Sequence, residues 1–147
     1  MNQEEAERDI QKMFEISARL YWLSIEPMLG PIDLFHLIER TGFTFDALSK
    51  KAGISFQGKG VDWVVYGGES GTLEKVRSLQ IEWIRDGVRQ CRDAGVPCFV
   101  KQMGAKTFME PKDGAPLFRI FSHADAADPE KWPEDLRVRN FPVYFFD

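Results

Sequence analysis

One stretch constrains the fold of this chain more than any other, the run from Val61 to Lys101. An apolar segment, Val61 to Gly67, stops abruptly in Gly67-Gly68-Glu69-Ser70-Gly71. A helical pattern follows over Leu79 to Ala94, with Ile81, Ile84, Val88 and Cys91 falling on one apolar stripe. Gly95 stands where a left-handed residue closes a helix, and Pro97 blocks any continuation. Cys98 to Lys101 is a second apolar run. Strand, helix and strand in this order make a βαβ unit, which forces parallel strands and a right-handed crossover in about 98% of cases. The fold class is therefore α/β.

Leu20 to Ile25 repeats the grammar: an apolar run, read as a strand buried on both faces, ends at Glu26 and Pro27. Three strands then end in polar tips, and α/β sheets place ligands at the carboxyl ends of their strands. The tips are Ser24 and Glu26; Gly67, Gly68, Glu69 and Ser70; and Lys101 and Gln102. The two glycines let backbone approach a ligand closely. Glu69 can accept hydrogen bonds from an amine or from ribose hydroxyls, and Ser70 can donate or accept. A phosphate cradle fits less well, because the clear helix begins some eight residues later and no P-loop or dinucleotide pattern is present. The blander alternative is a glycine turn with a solvated glutamate. Glu26 can serve as a base or bind a cation, or it can simply satisfy backbone N–H groups. Lys101 is placed to pair with Glu26 or Glu69.

The rest of the chain surrounds this unit. Asn2 to Ser17 reads as a helix with Ala6, Ile10, Met13 and Phe14 on one face, Asn2 as N-cap and Glu5 completing a relative of the capping box. Ile32 to Ile38 is a short helix or extended segment. Residues 40–60 read as an irregular insertion over one end of the sheet, with a short helix over Asp46 to Ala52. Ser78 is a candidate N-cap for the second helix. Residues 1–103 form the expected core and 104–147 a C-terminal extension packed on it, with a hairpin around Pro111-Lys112-Asp113-Gly114 and a helical turn at Asp128-Pro129. Aromatic residues crowd the last seven positions (Phe141, Tyr144, Phe145, Phe146), so the tail either docks or forms a contact patch, for which Tyr144, Phe145 and Phe146 are the candidates. The four tryptophans are expected in the core rather than on a base-stacking surface.

Bulk properties narrow the function. The net charge of −4 gives no support for nucleic-acid binding. No apolar run approaches a membrane span, and the polar, acidic start MNQEEAERD is no secretory signal, so the cytoplasm is expected. Cys91 and Cys98 have neither C-x-x-C spacing nor a companion histidine; they read as reduced core thiols, and no metal is expected. His36 and His123 are isolated.

Four blocks in order, WLSIEPMLGPIDL, GVDWVVYGGESG, RDAGVPCFVKQMG and DPEKWPEDLRVRNFP, resemble a phage-associated family of uncharacterised proteins described as radical-SAM-like and distantly similar to spore photoproduct lyase. The resemblance runs across nearly the whole chain. It implies a partial, half β/α barrel with a short parallel sheet, flanking helices and an irregular C-terminal extension, and a mouth lined by Ser24, Glu26, Gly67, Gly68, Glu69, Ser70, Lys101 and Gln102. It also implies S-adenosylmethionine as a possible ligand. The family's N-terminal half carries a cysteine-rich stretch for an iron–sulfur cluster. This chain resembles only the C-terminal half and lacks that stretch, as a natural short form or a truncated one would, so it is not expected to catalyse radical chemistry by itself.

Three readings remain, the last of them a folded remnant with neither ligand nor partner. The first is a non-catalytic binding or regulatory protein, acting as a homodimer or through a protein partner at the open edge of the Leu20–Ile25 strand. The second is the residual S-adenosylmethionine- or nucleotide-binding half of an enzyme completed by another chain or an upstream segment. In either case the tail or a second copy is expected to cover that edge.

Overall fold

Apolar strands alternating with a strong helix build the parallel unit first. In the computed structural model, which describes residues 1–109 and 118–143, β4 (Trp63–Gly67), α2 (Ile81–Ala94) and β6 (Cys98–Gln102) form it, with β4 and β6 parallel. β1 (Trp22–Ile25) pairs parallel on the other side of β4, so the sheet order is β1-β4-β6. β4 is the central strand. Its residues Val64 to Gly67 are all buried, as expected for a strand with neighbours on both edges. There is no closed barrel among the described residues.

α2 covers one face of this sheet. Ile81, Ile84 and Cys91 are buried there, and Gly87 lies so close to β4 that a Cβ would stand 2.6 Å from the Tyr66 ring. Gly95 ends the helix in the left-handed region at φ 69°, its N–H donating to the Arg92 carbonyl and that of Val96 to Cys91. The helix begins later than the sequence suggests. Leu79–Gln80 forms β5, which pairs with β7 (Thr107–Met109), so Gln80 rather than Ser78 precedes the first turn, without a side-chain cap.

α1 (Gln3–Glu15) starts as its sequence dictates. Asn2 Oδ1 accepts from the Glu5 N–H, and Glu5 returns the bond to the Asn2 N–H, both at 3.0 Å. Its buried face is Ala6, Ile10, Gln11 and Phe14. Gln11 acts as a latch: its amide nitrogen donates to the Ile38 carbonyl, and its oxygen accepts from the Arg40 N–H.

Several expectations are corrected. β1 is not buried on both faces; Leu23 and Ile25 point into the core while Trp22 and Ser24 are exposed. Among the described residues no helix covers Trp22, and that face stays open. Ile32–Ile38 ends in β2 (Leu37–Ile38), which pairs antiparallel with β3 (Thr44–Phe45). Asp46–Ala52 is not a helix. The Asp46 carboxylate accepts from the Leu48 and Ser49 N–H groups, a local turn that competes with helical bonding. Of the four tryptophans only Trp132 is fully buried, and Trp22 is 49% exposed.

The C-terminal part packs through Phe121, Trp132 and Leu136, all in the main core cluster. β7 pairs antiparallel with β8 (Phe118–Arg119), consistent with a hairpin; the turn expected at residues 111–114 lies outside the described residues. Asp128 caps the helical turn Pro129–Lys131 through the Glu130 N–H. The described part of the tail docks on β6. The Val100 N–H donates to Val138 and the Asn140 N–H to Cys98, at 2.8 and 2.9 Å, so residues 138–140 cover the outer edge of β6. Beyond them Phe141 packs on Trp63 and Phe99, with ring centroids 5.5 and 5.3 Å apart. Tyr144, Phe145 and Phe146 lie outside the described residues. Among the described residues no strand pairs with the outer edge of β1. No described helix is long and apolar enough to cross a membrane.

Candidate functional site at the strand ends

Parallel strands in register bring their carboxyl ends to one side, and here the polar tips meet. After β1 the chain turns at Glu26 and Pro27, and the Met28 N–H donates to the Gly67 carbonyl at 2.9 Å, tying that turn to the end of β4. Glu26 lies over Gly67. A Cβ on Gly67 would stand 2.7 Å from Glu26 Oε1, so a side chain there would displace the carboxylate from its place. Its side chain is 16% exposed. Two partners reach its Oε2, the Ser24 hydroxyl and the Lys101 ammonium, each at 3.3 Å.

Lys101 gets there through a break in the ladder. Pairing steps from Tyr66↔Val100 to Gly67↔Gln102, which leaves Lys101 as the extra residue of a bulge. Bulges re-aim side chains at strand ends. Lys101 remains 57% exposed, so this ion pair is loose and open to exchange with a ligand.

Gly68 serves a different purpose. Its N–H donates to the Gln102 carbonyl and its own carbonyl accepts from the Gln102 side-chain amide, at 3.0 and 2.9 Å. An added Cβ would lie 2.3 Å from the Gly104 nitrogen and 2.6 Å from the Met103 oxygen. Gly68 and Gln102 thus clamp the β4 and β6 ends together and form the floor of the site.

Glu69 is already engaged within the chain. Arg77 holds it in a fork: Nε to Oε2 and Nη2 to Oε1, both at 2.9 Å, with the Arg77 N–H also donating to Oε2 at 2.8 Å. These bonds hold the Glu69 carboxyl well below its usual range, at about 2. The pair closes the loop that follows Gly71, and its role is to position the turn. Sequence reading missed Arg77, since eight residues separate it from Glu69 and only the closed loop brings them together. Ser70 stands apart from Glu26. With Gln102 and His123 it lines a small pocket of about 40 Å³, so His123 is less isolated than its sequence position suggests. The eight strand-end candidates therefore divide. Ser24, Glu26, Gly67 and Lys101 form one cluster, Gly68 and Gln102 its floor, and Glu69 and Ser70 its supporting turn.

The cluster's chemistry is that of a largely buried carboxylate beside an exposed ammonium. A metal site is a different matter: among the described residues no three His, Cys, Asp or Glu side chains come together. Cys91 and Cys98 are buried at the other end of the sheet, where β6 begins. An iron–sulfur cluster thus finds no ligand set among these residues.

The sequence model of one family, described as a protein of unknown function (DUF5131), matches residues 1–133. The chain belongs to that family. The match takes in every residue of the strand-end cluster of this DUF5131 chain. Comparison with curated proteins and with solved structures finds no match.

Proposed function

We propose that this chain is a small-molecule-binding protein of radical-SAM-like, half-barrel build. Its strand-end cluster takes an α-amino-acid headgroup such as that of S-adenosylmethionine, and it works with a protein partner rather than as a catalyst by itself. One observation carries the reading: Glu26, just after β1, and Lys101, on β6, stand 3.3 Å apart across the end of β4, the strand between them. An α-amino acid carries an ammonium and a carboxylate on one carbon. Inserted between the two side chains, it gives the ammonium to Glu26 and the carboxylate to Lys101, exchanging one loose ion pair for two hydrogen-bonded ones. Gly67 supplies the space, since any side chain there would fill the cradle. The four-block resemblance to radical-SAM-like proteins supports the same ligand class. When bound, S-adenosylmethionine would supply its sulfonium chemistry; this chain's residues orient the amino-acid end.

The test is a melting curve with S-adenosylmethionine and with its decarboxylated analogue. The reading expects stabilisation by the first, about 2.7 kcal/mol at a hundredfold excess over Kd, and a much smaller effect from the second, which offers Lys101 nothing. No shift with either at millimolar concentration would contradict it.

A second reading, regulation through a protein contact, is favoured by β1. Its outer edge has no strand beside it among the described residues, and Trp22 on its open face is 49% exposed while packing on Trp63 at 5.6 Å. An added strand supplied by a partner or a second copy satisfies that edge. The two readings are compatible, since such a strand extends the row of carboxyl ends beyond Glu26.

A further inference from the structure

A second cavity lies away from the strand ends. It lies at the opposite end of the sheet, where β4 and β6 begin, and measures about 960 Å³, within the range of small-molecule sites. Its apolar wall comes from several elements: Leu48 and Val61 before β4, Val88 on α2, Val96 and Pro97 ahead of β6, and Val138 from the tail. Cys91 and Cys98 also line it.

The charged groups around this cavity settle what it suits. Two carboxylates line it, and both are already engaged. Asp62 accepts from the Tyr21 N–H at 2.8 Å and pairs with Lys50; Asp135 pairs with Arg85 at 2.7 Å. Arg92 stands 3.5 Å from Asp93. Lys51 alone among the lining cations has no acidic partner among the described residues. Its backbone is firmly placed: the N–H donates to Ser49 Oγ at 3.0 Å, and the carbonyl accepts from the Ser55 N–H and hydroxyl at 3.1 and 2.8 Å. An apolar chamber lined by one lysine that has no acidic partner among the described residues is complementary to an apolar molecule bearing a single negative charge.

We propose that this cavity is a second binding site, for an amphipathic monocarboxylate whose apolar tail lies against Val88, Val96 and Val138 and whose carboxylate is taken by Lys51. It is independent of the strand-end cluster and stands if that assignment fails. The probes are octanoate and 1-octanol, which share a tail and differ in charge, titrated into the ¹⁵N-labelled chain and followed by amide chemical shifts. Octanoate is expected to move Val96, Cys98 and Lys51 and to leave Gly67 and Gly68 in place, with 1-octanol at least tenfold weaker. Lys51→Met, an exposed position that the fold tolerates, is expected to erase the difference between the two, and Glu26→Gln to change nothing. Absence of shifts at 5 mM octanoate, equal affinity for both probes, an undiminished preference in Lys51→Met, or shifts centred on the strand ends would each overturn the assignment.

Discussion

At the scale of single residues, two neighbouring glycines have different jobs, and variants separate them. Gly67 makes room for a side chain and Gly68 for backbone. In Gly67→Ala the obstacle is the movable end of Glu26, so the expected result is weakened ligand binding with a small loss of stability. In Gly68→Ala the methyl meets the Met103 and Gly104 backbone, which cannot swing away, and the expected cost is about 1–3 kcal/mol or more by denaturant melting. Equal losses in both would mean that Glu26 is as fixed as the backbone. Glu69 adds a pH test. Its carboxyl sits at about 2 in the folded chain against an ordinary 4.5. A depressed folded value means that the stabilising contribution is complete above pH 4.5 and is lost as the pH falls toward 2. Arg77→Met should therefore lower the melting temperature above pH 5, and the gap to wild type should narrow between pH 4.5 and 2. Because the pair is on the surface, added salt should also shrink it. The sequence shows that Glu69 follows a buried strand. It does not show that an arginine across an irregular loop has already claimed it.

At the scale of elements, what was legible follows periodicity. α2 announces itself by its apolar stripe and its Gly95-Pro97 stop, and β4 by its unbroken apolar run. Gly95→Ala puts a Cβ into the left-handed region and should cost about 1–2 kcal/mol, with Gly95→Asn costing less. What was not legible are the latches. Gln90 reads as one more polar helix residue, yet it is 4% exposed. Its oxygen accepts from the Leu34 N–H at 2.7 Å, and its amide donates to the Ile32 carbonyl at 2.8 Å. No local pattern encodes a bond between residues 56 and 58 positions apart. Gln90→Leu keeps the bulk and strands both backbone groups, so destabilisation of about 1–3 kcal/mol per group is expected, together with faster amide exchange at Leu34. The same reasoning explains the missed β5: two residues, Leu79 and Gln80, form a strand only because β7 lies beside them.

At the scale of the whole molecule, parallel order and a central β4 followed from the βαβ pattern, while the fate of the tail did not. Its aromatic residues signalled docking, but the choice between the β1 and β6 edges depends on backbone groups that composition cannot reveal. With residues 138–140 on β6, no strand among the described residues covers the outer edge of β1, and sedimentation should show association that weakens when Leu23 or Ser24, within the strand, is changed to proline. A strict monomer whose β1 amides exchange slowly would remove the need for any partner strand. The central claim, that Glu26 and Lys101 together hold an amino-acid headgroup, is tested most directly by isothermal titration of S-adenosylmethionine into the wild-type chain, Glu26→Gln and Glu69→Gln. Binding to the wild type and to Glu69→Gln, with at least a tenfold loss in Glu26→Gln, is the predicted result. Binding that survives in Glu26→Gln, or that is absent from the wild type, would contradict it.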